Sequence, residues 1–100
     1  MGNIAFPIWL LEQDESWVDP QGIVRPIREL NQDVCLFALD YMLANAKKLR
    51  ERWSAETKQS YDEHQRARRW VLERPVSLGL MKQLSVLPLL ASLHEMPADA

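Results

Sequence analysis

The sequence predicts an all-α fold, a small helical bundle with a long central helix, a polar second helix and two short apolar C-terminal helices, fronted by an extended N-terminal arm. Three observations carry that expectation. From Ile27 onward apolar residues recur at three- and four-residue steps, the spacing of one helix face. Pro26, Pro75 and Pro88 stand where helices can start or stop rather than scattered through the pattern. The chain, 47% hydrophobic and 26% charged over 100 residues, has a globular composition and the length of one domain with one modest core. This divides it into an N-terminal arm or short hairpin over 1–26, a helical bundle over 27–96 and a frayed tail over 97–100.

Residues 1–26 show no helical period. An apolar run around Trp9 is broken by Pro7, and Asp19-Pro20-Gln21-Gly22 is a strong turn signal, with proline suited to the second position and glycine to the last. An extended arm packing its tryptophans onto the helices is the preferred reading. The alternative is a hairpin pairing the stretch around Trp9 with Ile23–Val24, confined to a sheet edge by its prolines.

The first helix is expected from Ile27, with Pro26 in its first turn. Ile27, Leu30, Val34, Phe37, Tyr41 and Ala44 form one apolar stripe; Cys35, Leu39, Met42, Ala46, Leu49 and Trp53 form another. Glu29, Asp33, Asp40, Lys47 and Glu51 fall on the remaining polar line. A helix apolar on two sides must be covered on both, which places it at the centre of the fold.

The second helix is expected from Ser54, a good N-cap, to Arg74, where Pro75 stops it. Its surface is wet except near its end, at Trp70-Val71-Leu72. Residues 76–96 are apolar almost throughout. Pro88 either starts a second short helix or kinks a long one, and the reading is two short helices, about 78–85 and 87–95.

Charge is unevenly spread around the formal net of −2: residues 1–40 hold two basic and seven acidic side chains, whereas residues 47–74 hold nine basic and five acidic. Two basic stretches, Lys47–Arg52 and Arg66–Arg74, each contain or precede a tryptophan, which suggests phosphate contacts. Against this stand the interleaved acids, a pI near 5.6 and the distance between the stretches along antiparallel helices. A solvated helix face is the preferred reading of these cations.

No catalytic constellation emerges. Cys35 sits in an apolar run with no cation nearby to activate it, which argues for burial as a small hydrophobe. His64 and His94 lie on separate predicted helices without the spacing of a zinc site. Asp40 interrupts an apolar run but lies on the polar line of its helix. No glycine-rich phosphate loop or nucleophile elbow is present. The expectation is a non-enzyme with no cofactor and no metal. A lone cysteine and the absence of a secretory leader or a long uncharged apolar run point to a reducing cytoplasm rather than a membrane.

The surplus of apolar surface is the more informative feature. It predicts a small regulatory or inhibitory protein acting by protein–protein contact and self-associating, most simply as a homodimer. Leu36, Leu43, Leu80, Leu87 and Leu90 are the candidate contact face, with Trp70, Arg66 and Arg69 as its polar rim. The alternative function is a nucleic-acid-associated protein using the two basic stretches.

Overall fold

The computed structural model describes the backbone of residues 6–95 and the side chains of residues 6–87. It is mostly helical, with four α-helices: α1 (Gln32–Ala44), α2 (Ala46–Thr57), α3 (Ala67–Leu72) and α4 (Pro75–Glu95). Two short strands, β1 (Ser16–Val18) and β2 (Val24–Pro26), pair antiparallel with Trp17 opposite Arg25. The all-α class expected from the sequence holds, while several boundaries fall elsewhere for identifiable reasons.

The segment before α1 forms a short hairpin rather than an extended arm, and it pairs the Trp17 strand, not the Trp9 stretch, with Val24–Pro26. The turn signal is used as written. The Asp19 carboxylate accepts from the backbone N–H groups of Gln21 and Ile23 at 3.0 and 2.9 Å, and Gly22 takes the left-handed conformation with φ 85°. Before it, Ile8–Glu12 is a 3-10 turn that buries Ile8, Leu10 and Leu11 and leaves Trp9 half exposed. Gln13 fastens the turn to the hairpin: its amide donates to the carbonyls of Leu10 and Ser16, and its Oε1 accepts from the N–H groups of Glu15 and Ser16.

The long central helix is divided. Ile27–Glu29 is only a 3-10 turn, and α1 begins after Asn31, whose side chain accepts from the Val34 N–H at 2.9 Å. Asn45 then ends α1 by turning its side-chain amide back to the Tyr41 carbonyl at 2.8 Å, an option that short polar side chains offer the backbone against helix. Helix α2 resumes one residue later. Ser54 lies inside α2 instead of capping a new helix, and its hydroxyl donates to the Gln59 carbonyl at 2.6 Å. Lys58 ends α2 in the left-handed conformation (φ 61°), so residues 58–66 form a loop where a polar helix was expected. Only α3 survives of that helix, as the short piece carrying Trp70 and Val71.

The apolar tail is one helix, not two. Proline at its first position leaves no N–H wanting, and α4 runs on through Pro88 to Glu95. Ser77, a candidate N-cap, is instead buried in α4 and donates to the Val71 carbonyl at 2.6 Å. Near the start of α4 that hydroxyl also meets Met42 Sδ, and further along Gln83 donates to the carbonyls of Arg28 and Leu30 at 3.1 Å, so α4 lies antiparallel to α1.

The core gathers Leu10, Leu11, Cys35, Met42, Val71 and Leu80 around the contact of α1 with α4. It extends into an aromatic block in which the Trp53 and Trp70 rings meet edge to face at 5.3 Å. The Arg74 guanidinium lies 4.6 Å over the Trp70 ring. The Trp53 indole N–H donates to the Glu12 carboxylate, tying the first turn of the chain to α2.

Candidate interaction surfaces

Two surfaces stand out, one apolar and one cationic. The apolar one follows from how α1 chooses its buried side. Within α1 the second stripe, Cys35, Leu39 and Met42, is buried in the core together with Ala38, whereas Val34 and Tyr41 of the first are half-buried against that core. The second stripe continues across the Asn45 break through Ala46, Leu49 and Trp53, which binds α1 and α2 to one core. Phe37, on the other stripe, points outward with 60% of its surface exposed, and adjacent Leu36 is 43% exposed. The polar line behaves as expected: Glu29, Asp33, Asp40, Lys47 and Glu51 are all exposed. On α4, Leu78 and Met81 are also exposed, whereas Val86 and Leu87 are half-buried.

The expected contact residues are therefore redistributed. Leu36 is exposed, and Arg66 and Arg69 are solvated. Leu43 is partly buried against the core. Leu80 and Trp70 are corrections: with 0% and 3% of their surface exposed they are core, Leu80 because α4 starts at Pro75 and turns that residue inward, Trp70 because it completes the aromatic block with Trp53. The side chain of Leu90 lies outside the described residues. Phe37, Leu78 and Met81 on the helices, and Trp9, Ile23 and Val24 before them, are exposed apolar residues that the sequence reading did not single out as contacts.

The cationic surface arises because residues 58–66 are a loop. The loop folds α3 back against α2, which brings the two basic stretches together rather than holding them turns apart. Lys47, Arg50, Arg66 and Arg68 line one open depression of about 540 Å³, with Glu63 and His64 beside them. His64 is thus an exposed loop residue and not a helical one. A second depression, of about 590 Å³, shares His64, Gln65 and Arg66 and adds Asp62 and Arg69.

Arg50 organises this region. It is nine-tenths buried, donates from Nη1 to the Gln65 carbonyl at 2.6 Å, and lies 4.2 Å over the Tyr61 ring. Its Nε is buried without a partner. Among the described residues the ion pairs are Arg25–Asp19, Arg52–Glu56 and Arg69–Glu73, all local in sequence, so none links the acidic first part of the chain to its basic middle. Glu73 also accepts from the Gln65 amide at 2.8 Å, and this bond, with Arg69 and Arg74 nearby, holds its carboxyl below the ordinary 4.5.

Cys35 is buried, and burial pushes its thiol above the ordinary 9.0, the opposite of activation. Among the described residues no three His, Cys, Asp or Glu side chains gather in metal-binding geometry, and no helix is long and apolar enough to cross a membrane. Set against protein-family models, curated proteins and solved structures, the chain matches none of them.

Proposed function

We propose that this is a small, non-enzymatic regulatory or inhibitory protein, working in the cytoplasm, that acts by protein–protein contact through an apolar helical surface and self-associates there. The outward pair Leu36 and Phe37 carries this reading. Two large apolar side chains stand side by side, uncovered by any of the described residues, on a helix face flanked by Asp33 and Asp40, and exposed apolar patches on folded domains mark contact sites. Burying such a side chain contributes roughly 1.5–3 kcal/mol. In a two-fold contact each protomer would supply the pair, and aromatic anchors of this kind dominate interface energetics. The apolar content of α4 adds support: from Gln83 to His94 the helix carries no Asp, Glu, Lys or Arg. The partner-contact set under this reading is Leu36, Phe37, Leu78 and Met81, with Leu43 and Leu87 at its margin.

The test is a pull-down of tagged protein from lysate, with and without nuclease, beside the Phe37→Glu variant, with light scattering on the eluate. A discrete protein or a second copy retained after nuclease by the native chain, and lost by the variant, supports the reading. Loss of everything on nuclease treatment overturns it.

A second reading, nucleic-acid association, draws on the convergence of the two basic stretches. The aromatic residues nearest those stretches in sequence offer it little stacking surface. Trp53 and Trp70, the aromatic residues beside those stretches, are both core, and the Tyr61 face is occupied by Arg50.

A further inference from the structure

We propose that the depression between the start of α2 and residues 63–68 is an anion site that takes the phosphoryl group of a small phosphorylated molecule, with Arg50 at its floor and Lys47, Arg66 and Arg68 on its rim. Arg50 is the key residue. A guanidinium stays charged at any physiological pH, so it cannot relieve its burial by losing a proton. Buried charges are ordinarily paired, because desolvating an ion without a counter-ion is expensive. Arg50 is nine-tenths buried, has no carboxylate within ion-pair distance among the described residues, and leaves Nε unsatisfied. Tyr61 and the Gln65 carbonyl offset part of this and fix the side chain in place, but neither carries a compensating charge. A group held rigidly and left unneutralised in this way is pre-organised for an anion.

The surroundings agree. Lys47, Arg66 and Arg68 line the same depression, and none of them has an ion pair among the described residues. Glu63 is the one carboxylate in the lining, so four cations face one acid. Arginine forks match the oxygens of a phosphoryl group in pairs. The volume, about 540 Å³, falls in the range of small-ligand sites and holds a phosphoryl group with a modest substituent. Extended nucleic acid fits less well, since a strand needs a track of cations and aromatic faces along it.

The experiment is isothermal titration of the full chain with pyrophosphate, against sodium chloride at matched ionic strength. The same titration is run on Arg66→Gln/Arg68→Gln, whose substitutions are both exposed and leave the core untouched. Circular dichroism and the melting temperature in chloride confirm that the variant is folded. The expected result is saturable pyrophosphate binding with no chloride counterpart, weakened at least tenfold in the variant. Undiminished affinity in the folded variant, or a response that chloride reproduces, overturns the assignment. Two competitors separate the remaining sources. A single-stranded oligonucleotide that binds more tightly than pyrophosphate and depends on the same arginines overturns it in favour of nucleic acid. Equal binding of hexaglutamate overturns it in favour of an acidic protein surface.

Discussion

Gly79 is the residue whose replacement interrogates the packing most sharply, because two effects of opposite sign meet there. Within a helix, glycine to alanine normally stabilises by about 0.8–1 kcal/mol, since alanine leaves less backbone freedom to lose. At Gly79, however, a Cβ would stand 2.6 Å from the Asp14 carbonyl oxygen, 3.0 Å from the Asp14 Cβ and 3.2 Å from its carbonyl carbon. The obstacle is mainly backbone, and the adjoining Gln13 pins that segment with bonds to Leu10, Glu15 and Ser16. Overpacking of this kind costs typically 1–3 kcal/mol. With backbone rather than a flexible side chain in the way, the clash outweighs propensity, and Gly79→Ala is expected to destabilise the fold by up to about 2 kcal/mol net. Urea unfolding followed by tryptophan fluorescence reads this as a lower midpoint at unchanged slope. A midpoint raised by the amount that propensity alone supplies would refute the reasoning, because it would mean that the segment before the hairpin does not rest on α4.

Further outcomes follow from the same contacts. Trp70→Ala should cost about 3–5 kcal/mol in thermal or urea unfolding, as expected for a core aromatic; a rim residue would leave stability nearly unchanged. Lys58→Gly should raise stability by up to about 1 kcal/mol, since the left-handed conformation at the end of α2 suits glycine and strains lysine; unfolding midpoints check the sign. The Asp19 carboxyl is held below its ordinary 3.8, chiefly by the Ile23 N–H and then by the Arg25 side chain. Its contribution is present above that ordinary value and fades as pH falls through the depressed one. The hairpin amide signals of wild-type protein should therefore shift in acid below about pH 4, and those of Asp19→Asn should lose that step. Cys35 should react with a thiol reagent only as fast as the protein opens, so denaturant should accelerate labelling strongly.

The sequence revealed features that rest on local chemistry. The Asp19–Gly22 turn, the helical class, the polar line from Glu29 to Glu51, the stop before Pro75 and the apolar anchoring of the end of the second helix at Val71 all follow from residues near one another in the chain, although Trp70 beside it, expected on a contact rim, is core. What stayed hidden was set by competition between distant groups. Asn45 could have been carried inside a helix, as polar residues often are, but its amide closes onto Tyr41 and splits the central helix. Lys58 is a good helix former, and nothing nearby announces its left-handed turn; the bonds from Ser54 to Gln59 and from Arg50 to Gln65 hold the loop that follows. That loop alone unites the basic stretches, so the depression around Arg50 was invisible to a reading that kept residues 54–74 helical. The first stripe of α1 does not behave as a unit: Val34 and Tyr41 pack against the core while Phe37 between them stays exposed.

The central claim, that the outer side of α1 is a contact surface through which this chain meets a second copy, is tested most directly by sedimentation equilibrium of the wild type beside Leu36→Glu/Phe37→Glu. Both substitutions lie on the solvent side of α1, so circular dichroism should show an unchanged fold. The expected result is a wild-type dimer that dissociates on dilution through the micromolar range and a variant that stays monomeric throughout. A wild type that is monomeric at every concentration, or a variant that dimerises equally well, would contradict it.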